Sequence, residues 1–204
     1  MNKTLLSALI TAAALALAPA AHAATAVDTG TPTGDALFGF VFDGNDLVAA
    51  KVSFAKATTI DAISGYFLGG GNGETFDISL YADGAKPTLA AQAFTTTATF
   101  GSDGWNGASG LGWNVAAGTY WVEFELNWND TLGQSMSDGP LVFPTGVAHP
   151  VPTFTSGDGG FTYFDDGATS IGLQVSTVPW PTAPWTMLAG VAMLASLGRA
   201  RRRA

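Results

Sequence analysis

Gly118-Thr119-Tyr120-Trp121-Val122-Glu123-Phe124-Glu125-Leu126-Asn127-Trp128-Asn129 decides the fold class. Tyr120, Val122, Phe124, Leu126 and Trp128 fall on one side, with Trp121, Glu123, Glu125 and Asn127 opposite. A period of two is the mark of a strand that buries one face. The same period recurs outward in both directions. Residues 37–42 align Phe38, Phe40 and Phe42, and residues 47–54 align Val48, Ala50, Val52 and Phe54. Residues 75–81 set Phe76, Ile78 and Leu80 against Asp77, Ser79 and Tyr81, and residues 170–175 align Ile171, Leu173 and Val175. Weaker strands are expected over residues 60–68, 89–97 and 161–164. Asp43-Gly44, Asp83-Gly84, Asp103-Gly104, Asp138-Gly139 and Asp166-Gly167 punctuate these runs with pairs suited to tight turns. No helical period persists between residues 24 and 177. The expectation is a single all-β domain, an antiparallel jelly-roll-like β-sandwich, with each strand showing one face to the core and one to water.

Charge is unevenly spread. The chain of 204 residues has 8 Lys+Arg against 16 Asp+Glu, 2 His and no Cys. Residues 24–178 hold all sixteen acids but only Lys51, Lys56 and Lys86, for a net charge of −13 and no arginine. Nucleic-acid affinity comes largely from Lys and Arg neutralising phosphates, so no nucleic-acid partner is expected. The lack of Cys removes disulfides, thiol nucleophiles and thiolate metal sites.

Both ends read as addresses. Residues 1–23 carry Lys3, an apolar run and then Pro19-Ala20-Ala21-His22-Ala23. Small residues at Ala21 and Ala23 suit signal peptidase, with cleavage after Ala23. At the other end, an apolar helix is expected over residues 183–198, followed by Arg199, Arg201, Arg202 and Arg203. The uncharged residues 185–198 would rise about 21 Å as a helix, short of a ~30 Å hydrocarbon core unless neighbouring residues join it. The arginines mark the cytoplasmic side, leaving the acidic domain outside. Residues 177–184 read as a proline-bearing linker.

Val178-Pro179-Trp180-Pro181, the apolar helix and the basic terminus together resemble the PEP-CTERM sorting tail of Gram-negative bacteria, with Trp180 standing where that family has Glu. The resemblance covers residues 178–204. It implies an exported protein held at the inner membrane until an exosortase cuts near the proline-bracketed motif. Thr59-Ile60-Asp61-Ala62-Ile63-Ser64, the run from Phe76 to Gly84 and the run from Ala117 to Phe124 are similar to elements of bacterial secreted sandwich modules. That likeness, over residues 35–176, implies the fold more than any activity.

Residues able to carry chemistry are few. His149 lies in a proline-rich loop and reads as a surface histidine. Gly69-Gly70-Gly71-Asn72-Gly73 lacks the Lys-Ser/Thr of a phosphate loop and reads as a flexible hairpin connection. Asp43-Gly44-Asn45-Asp46 and Ser156-Gly157-Asp158-Gly159-Gly160 offer the oxygen donors calcium takes, without EF-hand spacing, and ordinary turns explain both. No catalytic residue, cofactor or metal is therefore expected. Trp105, Trp113, Trp121 and Trp128 cluster in sequence, with Trp128 in the core phase. Trp121 is out of phase beside Glu123 and Glu125. Exposed, it would stack a sugar ring while the acids bind hydroxyls; covered, it would be structural.

Three functions follow from this reading. The first is an exported surface or exopolysaccharide-matrix protein without catalysis, membrane-held and then processed at its tail. The second is a carbohydrate-binding module. The third is a polysaccharide hydrolase, which needs two facing carboxylates in a cleft.

Overall fold

The computed structural model describes residues 23–33, 39–42, 46–82, 92–126, 141–157, 162–165 and 170–179. Residues 1–22 of the signal segment, the tail from Trp180 onward, Trp128 and four of the five Asp-Gly pairs lie outside them. The described chain is all β: β1 (Ala24–Asp28), β2 (Phe40–Phe42), β3 (Leu47–Phe54), β4 (Thr58–Phe67), β5 (Thr75–Ala82), β6 (Gln92–Thr99), β7 (Gly104–Val115), β8 (Gly118–Glu125), β9 (Leu141–Phe143), β10 (Thr153–Ser156), β11 (Phe164–Asp165) and β12 (Leu173–Pro179). Every pairing is antiparallel, within a four-stranded sheet ordered β1-β12-β4-β7, a six-stranded sheet ordered β11-β10-β3-β8-β5-β6, and the small pair β2-β9.

Alternation places the core between the two larger sheets. Val48, Ala50 and Val52 of β3, Phe76, Ile78 and Leu80 of β5, and Val122 and Phe124 of β8 meet Ile60, Ile63 and Phe67 of β4 and Leu173 and Val175 of β12 in one buried cluster. Phe67 is its aromatic centre, with ring centroids 4.9 Å from Phe76, 5.5 Å from Phe124 and 4.4 Å from Phe143. Burial of each such side chain stabilises the fold by roughly 1.5–3 kcal/mol.

Two expectations are corrected, and one long strand appears that the alternation did not mark. Residues 69–73 do not close a hairpin: they carry the chain from β4 in one sheet to β5 in the other. Gly69 (φ 84°) and Gly73 (φ 92°) adopt the left-handed conformation this crossing needs. Residues 177–179 are strand rather than linker. They pair with residues 58–60 of β4, and Thr58 Oγ1 donates to the Val178 carbonyl at 3.2 Å. Finally, β7 has no clean apolar alternation yet runs for twelve residues beside β4. Gly107 allows this, because a Cβ there would overlap the backbone of Ile63 and Ser64.

The link from β6 to β7 also crosses between sheets, and buried Asn106 organises it. Its side chain accepts from Gly101 N at 2.9 Å and donates to the carbonyls of Ser102 at 2.8 Å and Gly104 at 3.0 Å. At the opposite edge of the four-stranded sheet, Ala24 pairs with Thr177, so the first and last strands lie side by side. Buried Thr29 extends that seam. Its hydroxyl accepts from Leu173 N at 2.7 Å, and its backbone N–H donates to Leu173 O at 3.0 Å.

Candidate functional site

The outer face of the six-stranded sheet holds the residues with chemical potential. Strand register sets them in rows: Lys51, Trp121 and Tyr81 in one, Ala49, Glu123 and Ser79 in the next, Leu47, Glu125 and Asp77 in the third. Alternation alone assigns this face to solvent, and the structure corrects that. Trp121 is 1% exposed and Glu123 is 1% exposed. Ala49, Tyr81 and Trp121 form a second, smaller apolar cluster, with Phe154 of β10 packed on it. The Trp121 and Phe154 rings meet edge to face at 4.9 Å and 89°, and Lys51 Nζ stands 5.3 Å from the indole centroid. The small side chain of Ala49 sits between the bulky neighbours of β10 and β8.

Beside this cluster lies a polar network. Tyr163, just before β11, donates its hydroxyl to Glu123 Oε2 at 2.9 Å. Ser79 hydrogen-bonds Glu125, its Oγ lies 3.0 Å from Thr95 Oγ1, and Gln92 Nε2 donates to it at 3.1 Å. Thr97 donates to Asp77 at 2.7 Å. Burial, reinforced by the negative charge of Glu125, pushes the Glu123 carboxyl up to about 8, while the Tyr163 hydrogen bond pulls the other way. Burial and then the charge of Glu123 raise both the Tyr81 and Tyr163 hydroxyls above their ordinary value. At neutral pH Glu123 is thus mainly an uncharged acid, held under a tyrosine.

Of the two readings of Trp121, the covered one describes this structure: the indole is enclosed, and Glu123 is enclosed with it. Glu125 is half-buried, two residues along the same face. A raised carboxyl beside a second one is the electrostatic pattern of an acid–base pair. Glu123 itself is buried, while Glu125 keeps part of its surface in solvent.

Other singled-out residues are placed elsewhere. Trp105 packs edge to face on Tyr66 at 5.3 Å, and Trp113, buried in the core, stacks on Phe94 at 5.3 Å and 12°. His149 is exposed on the loop after β9, its N–H bonded to Thr29 O at 2.9 Å. Of the two oxygen-rich loops, residues 43–45 and 158–160 lie outside the described residues; Asp46 and Gly157 adjoin, since a Cβ on Gly157 would stand 3.3 Å from Asp46 Oδ1. Among the described residues no three His, Asp or Glu side chains converge as a metal site. No helix among them is long and apolar enough to cross a membrane, and the expected helix over residues 183–198 lies outside them.

The sequence misses the covering partners, Tyr163 and Phe154. One signal pointed there: an indole as large as Trp121 on a nominally wet face demands a cover. Compared with known proteins, the chain matches no family model and no curated protein.

Proposed function

We propose that residues 24–179 form an exported, non-catalytic domain of the cell surface or exopolysaccharide matrix, built as a jelly-roll-like sandwich. Signal peptidase would release it after Ala23, and residues 183–198 with Arg199, Arg201, Arg202 and Arg203 would hold it in the inner membrane. An exosortase-like enzyme would then cut near Val178, Pro179, Trp180 and Pro181. The observation that carries this reading is the pairing of Ala24 with Thr177. The sheet opens on the first residue after the expected signal cleavage and closes within the proline-bracketed motif. Removal of residues 1–23 and of everything after Pro179 would leave each described strand whole. Enclosure of Trp121 and Glu123 weighs against the sugar-binding and hydrolase readings.

The test is the intact mass of the protein in membrane, surface and medium fractions of a Gram-negative host with a compatible exosortase. A mature form beginning at Ala24 and ending after Pro179 is the expected result. Full-length protein confined to the cytoplasm, or a cut inside β12, overturns the proposal. A reporter fused after Ala204 should face the cytoplasm.

A further inference from the structure

Each larger sheet ends in two edge strands, and exposed edges template pairing with another chain unless they are blunted. Three of the four described edges are blunted. β1 is five residues long, carries a bulge between Thr25 and Val27 and ends on Asp28. β11 has two residues. β7 carries Gly110 (φ 70°) and Gly112 (φ 62°) and a register shift opposite Ile60 and Ala62. β6 is different. Its sequence, QAFTTTAT, has eight residues with no charge, no proline and no glycine. Its register with β5 is unbroken over the six residues from Thr99 to Phe94, and its one shift, which skips Ala93 between the pairs of Leu80 and Tyr81, lies at its start.

Among the described residues, none pairs with this edge. A groove of about 500 Å³ runs between β6 and β7, lined by residues 95–99 and 107–111 with Trp113. Consecutive residues line it on both sides, so strand edges as well as alternate side chains border the gap. Neither β6 nor β7 contains a charged residue, in a domain that carries −13.

We propose that the β6 edge pairs antiparallel with β6 of a second copy of this chain, joining two six-stranded sheets across a two-fold axis. Charge selects the site. Two copies repel through their acids, and this edge is where they meet with no like charges in contact. Among the described residues, Asp77 is the acid paired directly with this edge, opposite Thr97 and one strand further in. Across the joint the two Asp77 side chains stand about three strand spacings apart, roughly 14 Å, beyond the ~8 Å screening length at physiological salt. Threonine favours strand pairing, and Thr95, Thr97 and Thr99 are exposed on one face of β6, where their side chains can make cross-strand contact. An eight-residue edge is about 27 Å long, so the contact area falls below that of a standard stable interface and the dimer is weak. The inference does not depend on export.

The absence of cysteine makes the test direct. Thr95→Cys, Thr97→Cys and Thr99→Cys are introduced singly into the full-length chain. Each purified protein, in detergent micelles, is treated with a short bis-maleimide. Lys56→Cys, exposed on the bend between β3 and β4, registers chance collisions in the same micelles. At least one β6 position should yield covalent dimer about fivefold faster than Lys56→Cys, and faster at 150 mM than at 10 mM NaCl. Adding Thr97→Lys to Thr99→Cys or Thr95→Cys should cut the yield about fivefold, by setting like charges across the joint. Asp77 beside the new ammonium keeps the strand folded, which far-UV circular dichroism checks. Equal rates at β6 and Lys56→Cys, no dimer at any β6 position, or full yield with Thr97→Lys in a folded protein each overturn the proposal. So does a product whose mass is not twice that of the chain.

Discussion

Tyr163 donates its hydroxyl hydrogen to Glu123 Oε2 across 2.9 Å, fastening the segment before β11 to an interior strand of the six-stranded sheet. The bond joins residues forty positions apart over the face that alternation assigns to water. Beneath it the carboxyl is neutral at neutral pH, because burial and Glu125 both oppose its ionisation. Tyr81 and Asp77 from β5 and Lys51 from β3 share this face.

Stability should therefore fall as pH rises through the range set by Glu123. Below about 4.5 the folded and unfolded chains both hold the proton. Between that value and about 8 the folded chain keeps the proton that the unfolded chain has lost, so raising pH favours unfolding. Above about 8 both have lost it and the effect levels off. The slope is roughly 1 kcal/mol per pH unit and totals a few kcal/mol. Urea unfolding of a fragment covering residues 24–179 at pH 5, 6.5 and 8.5 measures it. Glu123→Gln keeps an acceptor for Tyr163 and should flatten the profile, with its largest stabilisation at pH 8.5.

Tyr163→Phe should act in the opposite sense. Without the donor the carboxylate form loses its stabilising hydrogen bond, so the Glu123 carboxyl rises further still. The loss should be about 1–3 kcal/mol where Glu123 is ionised and smaller where it is neutral. Carbon-13 titration of the Glu123 side chain follows the shift directly. An unchanged titration in this variant contradicts the arrangement.

Salt should stabilise the same fragment. Sixteen acids face three lysines in residues 24–178, and raising NaCl from ~10 to ~150 mM shortens the screening length from about 30 to about 8 Å. The melting temperature should rise over that interval and then flatten. A fall would mean that attractive ion pairs outweigh the repulsion.

Two substitutions probe the frame. Phe67→Ala empties the centre of four packed rings and should cost about 3–5 kcal/mol. Gly107→Ala changes one methyl group, yet it should cost at least ~2 kcal/mol, because the new Cβ meets β4 backbone rather than a side chain that can turn away. Denaturant midpoints decide both.

How much was legible depended on where each strand's neighbours came from. β3, β5 and β8 bury one alternating row in the shared core, so Val48, Phe76 and Phe124 announced themselves through period two alone. β7 did not: its glycines erase the alternation, and Gly107 earns its place through contact with β4, a relation no local pattern encodes. The outer face failed for a related reason. Periodicity puts Trp121, Glu123 and Glu125 together correctly, but whether water or protein lies above them depends on Phe154 and Tyr163, dozens of residues downstream.

The seam of Ala24 against Thr177 also has a mechanical consequence. Among the described pairs, tension applied from beyond Pro179 would load Pro179 with Thr58 first, then Val178 with Thr59, then Thr177 with Ile60. Such a load pulling away from the sheet opens β12 like a zipper, one pair at a time, instead of straining the whole ladder in parallel. A domain tethered through this strand resists drag only as strongly as its outermost pair, and once β12 lifts, β1 loses its sole described neighbour and leaves with it.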